Sequence, residues 1–178
     1  MNSIISNNFN LITLIGMMGS GKTSCGIILA KKLGVSFIDI DSIIELEEKL
    51  KINEIFDRFG EQYFRSIEEK FIFFKIRECL KHNMKAIISL GGGGFESKKT
   101  RKFLLKNSKV IWLNTDIKIL NKRVGNALNR PMIKGNVETN LEMLLNKRIK
   151  NYQKSHFKVN TNNLSINNIC DKIIEGIL

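Results

Sequence analysis

The feature that most constrains the fold is a glycine-rich loop between an apolar run and a helical pattern. Residues 16–23 read GMMGSGKT and match the pattern G-x-x-x-x-G-K-[ST]. The apolar run Leu11–Ile15 before the loop predicts a buried strand, and the apolar spacing after it predicts a helix over about residues 24–33. A loop in this setting presents backbone N–H groups and a helix N-terminus to an anion. We therefore predict a phosphate-binding loop rather than an ordinary strand–helix turn.

Two side chains of this loop suit the phosphates of a nucleotide and a metal ion. Lys22 supplies a positive charge for the β- and γ-phosphates, and the Thr23 hydroxyl is a candidate ligand for Mg²⁺. The motif by itself is shared by many nucleotide-binding proteins and does not specify a reaction.

Composition bounds the domain organisation and the location of the chain. With 178 residues, 43% of them hydrophobic, the chain is long enough for one well-packed domain and short for two. No apolar run reaches the roughly 18 residues of a membrane span, and residues 1–9 resemble neither a secretory nor a transit signal. Three scattered cysteines fit a reducing compartment. We expect one domain over residues 1–178, no membrane partner and a cytoplasmic location.

The formal net charge of +12 leaves two interpretations open. A basic chain can bind nucleic acid, but the Lys and Arg residues here are spread along the whole sequence and form no run interleaved with aromatic residues. A positive cleft also suits small anionic substrates. We therefore expect no nucleic-acid partner.

Short apolar runs alternate with helical patterns along the chain, which predicts an α/β fold with a parallel sheet covered by helices on both faces. Ligands of such sheets bind beyond the carboxyl ends of the strands. The predicted strands are 11–15, 35–38, 86–90, 110–113 and 157–159, and the predicted helices are 24–33, 43–50, 62–80, 98–105, 117–124, 141–152 and 166–177.

A pair of carboxylates closes the second predicted strand. Asp39 and Asp41 are two residues apart, so on a strand they share one face, at its carboxyl end. One could hold the water shell of Mg²⁺, and the other could accept a proton from a substrate hydroxyl. The alternative is a solvated turn in which one of the two caps a helix.

Two further stretches stand out. Arg65 and Glu68 lie three residues apart on a predicted helix, where a plain surface ion pair is the alternative to a functional role. The run of four glycines at residues 91–94 follows a strand, and such a run is easiest to explain where a ligand approaches the backbone closely.

Taken in order, these motifs resemble the shikimate kinase family over roughly residues 11–161. In that family the phosphate loop is followed by F-x-D-x-D, G-E-x-x-F-R-x-x-E, G-G-G, a lid with R-P-L, and an arginine with a tyrosine four residues on. The corresponding residues here are 37–41, then Gly60, Glu61, Phe64, Arg65 and Glu68, then 91–93, 130–132, and Arg148 with Tyr152.

The resemblance implies a five-stranded parallel core like that of nucleoside monophosphate kinases. It implies a helical substrate-binding region over about residues 43–71 and a mobile lid over about 123–136. It also implies the reaction, in which ATP phosphorylates the 3-hydroxyl of shikimate on the route to chorismate and aromatic amino acids. We expect ATP, Mg²⁺ and shikimate as ligands and a monomeric protein.

The resemblance also implies a role for each matching residue. Lys22, Asp41 as the base and Arg130 of the lid would be catalytic, with Pro131 pinning the backbone beside Arg130. The metal ion would be held by Thr23 directly and by Asp39, with Ser89, through water. Glu68 would fix the pose of Arg65. The ATP contacts would be Gly19, Ser20, Gly21, Lys22, Thr23, Ser24, Arg123 and Arg130, and the shikimate contacts Asp41, Arg65, Gly92, Gly93 and Arg148.

Two departures and three alternatives accompany this interpretation. Lys150 replaces the proline that usually follows the last substrate arginine, and residues 161–165 lack the arginine and proline of the adenine-side loop, so no adenine contact is assigned there. The alternatives are another small-molecule kinase such as a gluconate kinase, a catalytically silent binding protein, and a nucleic-acid-binding P-loop protein. Asp41, Arg65 and Arg148 favour a polyol bearing a carboxylate, and the presence of Lys22 and Arg130 argues against a silent protein.

Overall fold

Five parallel strands form one sheet in the order β2-β3-β1-β4-β5. The structure of the protein is a computed structural model, and it describes residues 10–124 and 137–177. The strands are β1 Leu11–Ile15, β2 Ser36–Asp39, β3 Ala86–Ser89, β4 Lys109–Asn114 and β5 Phe157–Asn160. The helices are α1 Lys22–Leu33, α2 Ile40–Glu48, α3 Ile52–Lys81, α4 Lys98–Asn107, α5 Ile117–Val124, α6 Val137–Tyr152 and α7 Ile166–Ile177.

The sheet is buried on both faces, as continuous apolar strands predict. Side chains alternate along β1, so that Leu11 and Ile15 join one apolar cluster and Ile12 and Leu14 join another. The first cluster includes residues from α2 to α6, and the second includes residues from α1 and α7. The predicted three-layer α/β architecture is therefore confirmed.

All five predicted strands are present, and each of their ends lies within one residue of the prediction. The largest difference concerns α3, which begins at Ile52, ten residues before the predicted start. The Glu54 carboxylate accepts the Lys51 backbone N–H at 2.8 Å and so starts the helix early. Gly60, with φ 80° and ψ 171°, then breaks the helical path. This glycine kink interrupts the apolar periodicity on which the prediction relied.

The sheet topology places the loops after β1, β2 and β3 side by side. β3 pairs with both β1 and β2, so the carboxyl ends of these three neighbouring strands meet at one edge. The phosphate loop, the Asp39 region and the glycine run 91–94 follow these strands in turn.

Some predictions fall outside the described part of the chain. Most of the predicted lid, including Arg130 and Pro131, lies within residues 125–136, and the N-terminal stretch is residues 1–9. In the described ranges, no helix combines the length and the apolar character that a membrane crossing requires.

Candidate active site

The phosphate loop leaves β1 and turns directly into α1. Gly21 precedes the helix with φ 90°, a left-handed conformation that favours glycine. Lys22 is the first residue of α1, is 8% exposed, and donates from its ammonium to the carbonyls of Gly16 and Met17 at 3.0 Å each. The ammonium therefore lies against the loop backbone, beside the amides that are the predicted phosphate ligands.

The other predicted nucleotide contacts lie around the same loop. Ser24 is in the first turn of α1, and the hydroxyl oxygen of Ser20 is buried without a hydrogen-bond partner among the described residues. On α5, Arg123 donates from Nη1 to the Gly19 carbonyl at 3.1 Å. The structure thus brings Arg123 to the loop, whereas Arg130 lies outside the described residues.

Thr23 and Asp39 meet at the end of β2. The Thr23 hydroxyl donates to Asp39 Oδ2 at 2.9 Å, and Ser89 is the residue of β3 that pairs with Asp39 across the sheet. A hydroxyl and a carboxylate oxygen fit Mg²⁺, which is commonly bound through one or two protein oxygens together with waters and substrate phosphates. The residues present therefore fit the ion that the family implies.

The prediction that Asp39 and Asp41 share one strand face is wrong. β2 ends at Asp39, whose side chain accepts the Ser42 N–H at 3.3 Å and caps α2, so Asp41 lies in the first turn of that helix. The helix-cap alternative was thus correct for Asp39. The cap turns the chain at this point because a carboxylate satisfies an N–H that the first helical turn leaves free.

Asp41 faces the interior of the site. Its Oδ1 atom is buried and has no hydrogen-bond partner within the described ranges. Burial raises the pKa of this carboxyl to about 7, with further raising by the charges of Glu68 and Asp39 and opposing effects from Lys22 and Arg65. A carboxyl group with a pKa near neutrality is suited to exchange a proton with a substrate hydroxyl.

Arg65 and Glu68 form a largely buried ion pair, so the surface-pair alternative is wrong. Arg65 Nη1 donates to Glu68 Oε2 at 2.6 Å, and Glu68 is only 2% exposed. Glu61 accepts from Arg65 Nε at 3.3 Å, and the guanidinium also lies over the Phe64 ring, 5.1 Å from its centroid. Burial raises the pKa of Glu68, against the opposing effect of Arg65. Three neighbours thus fix the orientation of the Arg65 fork.

The glycine run allows the charged side chains to approach its backbone. A Cβ on Gly91 would lie 2.7 Å from both Asp41 Oδ1 and Glu68 Oε1, and one on Gly93 would lie 2.5 Å from the Arg65 guanidinium. The sequence predicted that a ligand approaches the backbone of this run. In the structure, the groups that approach it at Gly91 and Gly93 are side chains of the protein itself. At Gly92 the corresponding distance, to Arg148 Nη1, is 3.1 Å.

Arg148 lies on α6 and faces the same site. It is 3% exposed, and its Nη1 atom is 3.9 Å from the Met17 sulfur. Tyr152, one turn further along α6, donates from its hydroxyl to the Gly92 carbonyl. Lys150, where the family has a proline, is exposed and leaves this arrangement undisturbed. The structure therefore brings Arg148 together with Arg65 and the glycine run. This agrees with the alignment of Arg148 on the family motif, which was based on the tyrosine four residues further on.

A cavity of about 360 Å³ opens beside these residues. Its lining includes Arg65, Arg148, Gly93 and Gly94, whereas Asp41 and the phosphate loop do not line it. Four glutamates also line it, namely Glu61, Glu68, Glu69 and Glu96, so a carboxylate ligand fits only at the end where the two arginines meet the glycine run.

Sequence reasoning missed Met17, whose sulfur is in contact with Arg148 and with the Tyr152 hydroxyl. Nothing in the sequence indicates that an apolar residue of the phosphate loop contacts side chains of a distant helix. The contact of Arg65 with Glu61 was also missed, although their i, i+4 spacing on a helix is one that favours ion pairs.

The comparisons with known proteins agree with this geometry. The sequence model of the shikimate kinase family matches residues 18–178. A shikimate kinase from Thermodesulfovibrio yellowstonii is 36% identical over 165 residues, which are 92% of this chain and 92% of that protein. Among solved structures, a shikimate kinase from Acinetobacter baumannii in complex with shikimate superposes with a TM-score of 0.90 at 30% identity, over 99% of this chain and 97% of that one.

The gluconate kinase alternative receives support only at the level of the fold. A gluconokinase from Sinorhizobium meliloti superposes with a TM-score of 0.55 at 17% identity, over 96% of this chain and 93% of that one. The family match extends over most of the chain and includes the second half of the phosphate loop and every later motif. The chain therefore belongs to the shikimate kinase family.

Proposed function

We propose that this chain transfers the γ-phosphoryl group of ATP to the 3-hydroxyl of shikimate. The observation that carries the proposal is the glycine run beside the phosphate loop, which is approached by Asp41, by the partly buried Arg65 and by the buried Arg148. Family membership supports the same reaction, because the relatives matched over most of the chain are shikimate kinases.

In this proposal the loop holds the phosphates of ATP. The amides from Gly19 to Ser24 donate to the phosphate oxygens, and the Lys22 ammonium exchanges its two carbonyl partners for the β- and γ-phosphates. The contact of Arg123 with the Gly19 carbonyl supports a position near the nucleotide. Arg130, in the lid, would neutralise the charge that develops on the transferred group.

Thr23 would bind Mg²⁺ directly, and Asp39, with Ser89 beside it, would bind it through water. When bound, the ion supplies positive charge that neutralises the phosphate oxygens during transfer. The 2.9 Å contact between Thr23 and Asp39 supports this assignment because it gathers two oxygen ligands at the mouth of the loop. The requirement for the metal ion is tested by chelation, which should abolish turnover, and by adding Mg²⁺ back, which should restore it.

Shikimate would lie between Asp41 and the two arginines. Asp41 accepts hydrogen bonds from substrate hydroxyls and takes the proton of the hydroxyl that attacks the γ-phosphorus. Arg65, Arg148 and the backbone of Gly92 and Gly93 hold the carboxylate end of the substrate. Glu68 acts on substrate binding through Arg65, because its buried carboxylate orients the guanidinium.

We also propose that the protein works as a cytoplasmic monomer. Cys25, Cys79 and Cys170 are all buried free thiols, which suits a reducing compartment. The proposed active site is assembled from residues of one chain. Sedimentation analysis at micromolar concentration tests the oligomeric state.

A coupled assay of ADP release with shikimate, quinate and gluconate as acceptors tests the function. We expect turnover with shikimate to exceed turnover with gluconate, because a ring holds its carboxylate and reacting hydroxyl at a fixed separation, toward the two arginines and Asp41, and an open chain does not. Quinate, which is also a ring polyol with a carboxylate, tests how strictly the site distinguishes one ring acid from another. Activity confined to gluconate would contradict the proposal.

A further inference from the structure

We propose that Tyr152 is a positioning residue for shikimate. By holding the Gly92 carbonyl, its hydroxyl aims the N–H of Gly93 into the substrate cavity. The inference rests on the proposed function. It adds to the substrate-binding site a residue that does not itself contact the substrate.

The Tyr152 side chain is held rigidly. It is 0% exposed, its ring packs against that of Trp112 with centroids 5.8 Å apart, and its hydroxyl is 3.9 Å from the Met17 sulfur. The hydroxyl donates to the carbonyl oxygen of Gly92. Burial raises the pKa of this phenol, so it stays protonated and remains a donor over the physiological pH range.

The geometry of the peptide bond turns this contact into an orientation for Gly93. The Gly92 carbonyl and the Gly93 N–H belong to one peptide unit, which is planar and trans. In such a unit the C=O and the N–H point in opposite directions. Because the carbonyl points to Tyr152, the Gly93 N–H points away from it.

The Gly93 end of this peptide lies at the cavity. Gly93 lines the cavity together with Arg65 and Arg148, whereas Tyr152 does not line it. No acceptor for the Gly93 N–H occurs in the ranges 10–124 and 137–177. A backbone N–H without an internal partner at a polar cavity is a donor for a bound anion.

A glycine run needs such an anchor because it has no side chains to fix its backbone. Glycine samples more conformations than any other residue, so the peptide between Gly92 and Gly93 could rotate and turn its carbonyl toward the substrate carboxylate. The tyrosine hydroxyl selects the orientation that attracts the anion before it binds. Affinity gained in this way comes from preorganisation rather than from a new contact.

The test compares Tyr152→Phe with Tyr63→Phe, which alters the only other tyrosine of the chain. The Tyr63 hydroxyl donates to Glu48 at 3.1 Å on an exposed surface, so this variant controls for the loss of a phenol hydroxyl. We expect Tyr152→Phe to raise the Michaelis constant for shikimate about tenfold and to leave that for ATP within about twofold, as for one weakened hydrogen bond to a charged group. Tyr63→Phe should change neither constant.

A second measurement observes the amide itself. In the ¹H–¹⁵N spectrum of the wild-type protein, shikimate should shift the Gly93 amide proton downfield, and in Tyr152→Phe this shift should be smaller at saturation. A tyrosine that only stabilised the core would lower the melting temperature without changing either the ratio of Michaelis constants or this shift. Equal changes in both constants, or no change in either, would overturn the inference.

The outcomes also separate this inference from the proposed function. If the wild-type protein fails to phosphorylate shikimate, the proposed function is wrong. If it is active but its Gly93 amide is unmoved by shikimate, the inference about Tyr152 is wrong while the function stands. The wild-type spectrum distinguishes these outcomes even if Tyr152→Phe does not fold.

Discussion

The Arg65 guanidinium donates at 2.6 Å to a Glu68 carboxylate that is only 2% exposed, and the second oxygen of that carboxylate has no partner in the described part of the chain. Burying a carboxylate is costly unless a cation compensates it, so removing Arg65 would leave Glu68 without its ion-pair partner, whereas Arg65 also pairs with Glu61. The pair therefore fixes where the guanidinium lies before any substrate binds.

Arg65→Lys should weaken shikimate binding selectively. Lysine keeps the charge that compensates Glu68 but lacks the planar fork that grips a carboxylate. We expect the Michaelis constant for shikimate to rise at least about tenfold while that for ATP changes little, corresponding to the loss of one charge-assisted hydrogen bond. Steady-state kinetics would measure both constants. Arg58→Lys, at an exposed position of the same helix, is the matched control, and equal changes in the two constants of Arg65→Lys would contradict a substrate contact.

Lys22→Met should abolish most turnover and preserve the fold. Methionine keeps much of the length of the stem and removes the ammonium that contacts the Gly16 and Met17 carbonyls. Turnover should fall at least about a hundredfold, the scale on which removal of one preorganised donor acts. The coupled ADP assay measures turnover, and circular dichroism checks the fold. Lys31→Met, an exposed change in the same helix, should keep wild-type turnover, whereas a folded and active Lys22→Met would refute the role.

Asp41→Asn should stabilise the ligand-free protein at alkaline pH while removing activity. The pKa of Asp41 is about 7 in the folded state, against 3.8 for an unperturbed carboxyl, so the folded state binds the proton more tightly than the unfolded state. Its contribution to stability is therefore present at low pH and is lost as the pH rises toward 7. The full shift would correspond to roughly 4 kcal/mol, and partial exposure of the residue reduces our expectation to about 2 kcal/mol.

Urea denaturation at pH 5 and pH 8 would measure this difference. The variant should gain stability relative to the wild type mainly at pH 8. Glu47→Gln changes an exposed carboxylate on the same helix and should show no such pH-dependent gain. A gain for Asp41→Asn that is the same at both pH values would show that desolvation of the charge is not the cause.

Gly93→Ala should impair the site by displacing Arg65. The added Cβ would lie 2.5 Å from the guanidinium, so the side chain must move by about 1 Å, a displacement that can reduce activity strongly. We expect kcat/KM for shikimate to fall at least about tenfold. Gly34→Ala is the control, because it imposes strain at φ 65° but its Cβ meets no atom within 4 Å. If both variants lost the same activity, general destabilisation would explain the result.

The local sequence determined the order and type of the elements and the location of the phosphate loop. Apolar runs without polar alternation marked the five strands, because a parallel sheet covered on both faces demands apolar residues on both sides of each strand. The loop motif specified its own local structure, since its glycines, Lys22 and the following helix are contiguous in the chain. The helical start at Ile52 escaped prediction, and the cap at Asp39 was foreseen only as an alternative, because polar side chains and one glycine set these turns without any periodic signal.

Only the tertiary structure decided the environment of each charged group. The same Arg65–Glu68 spacing is compatible with an exposed pair or with a buried one, and the packing of α3 against the glycine run buries Glu68. Tyr152 and Gly92 are 60 residues apart, so no local pattern could predict that a hydroxyl on α6 would hold a carbonyl after β3. Burial and contacts between distant segments depend on how the elements pack, and a local sequence pattern carries no measure of that packing.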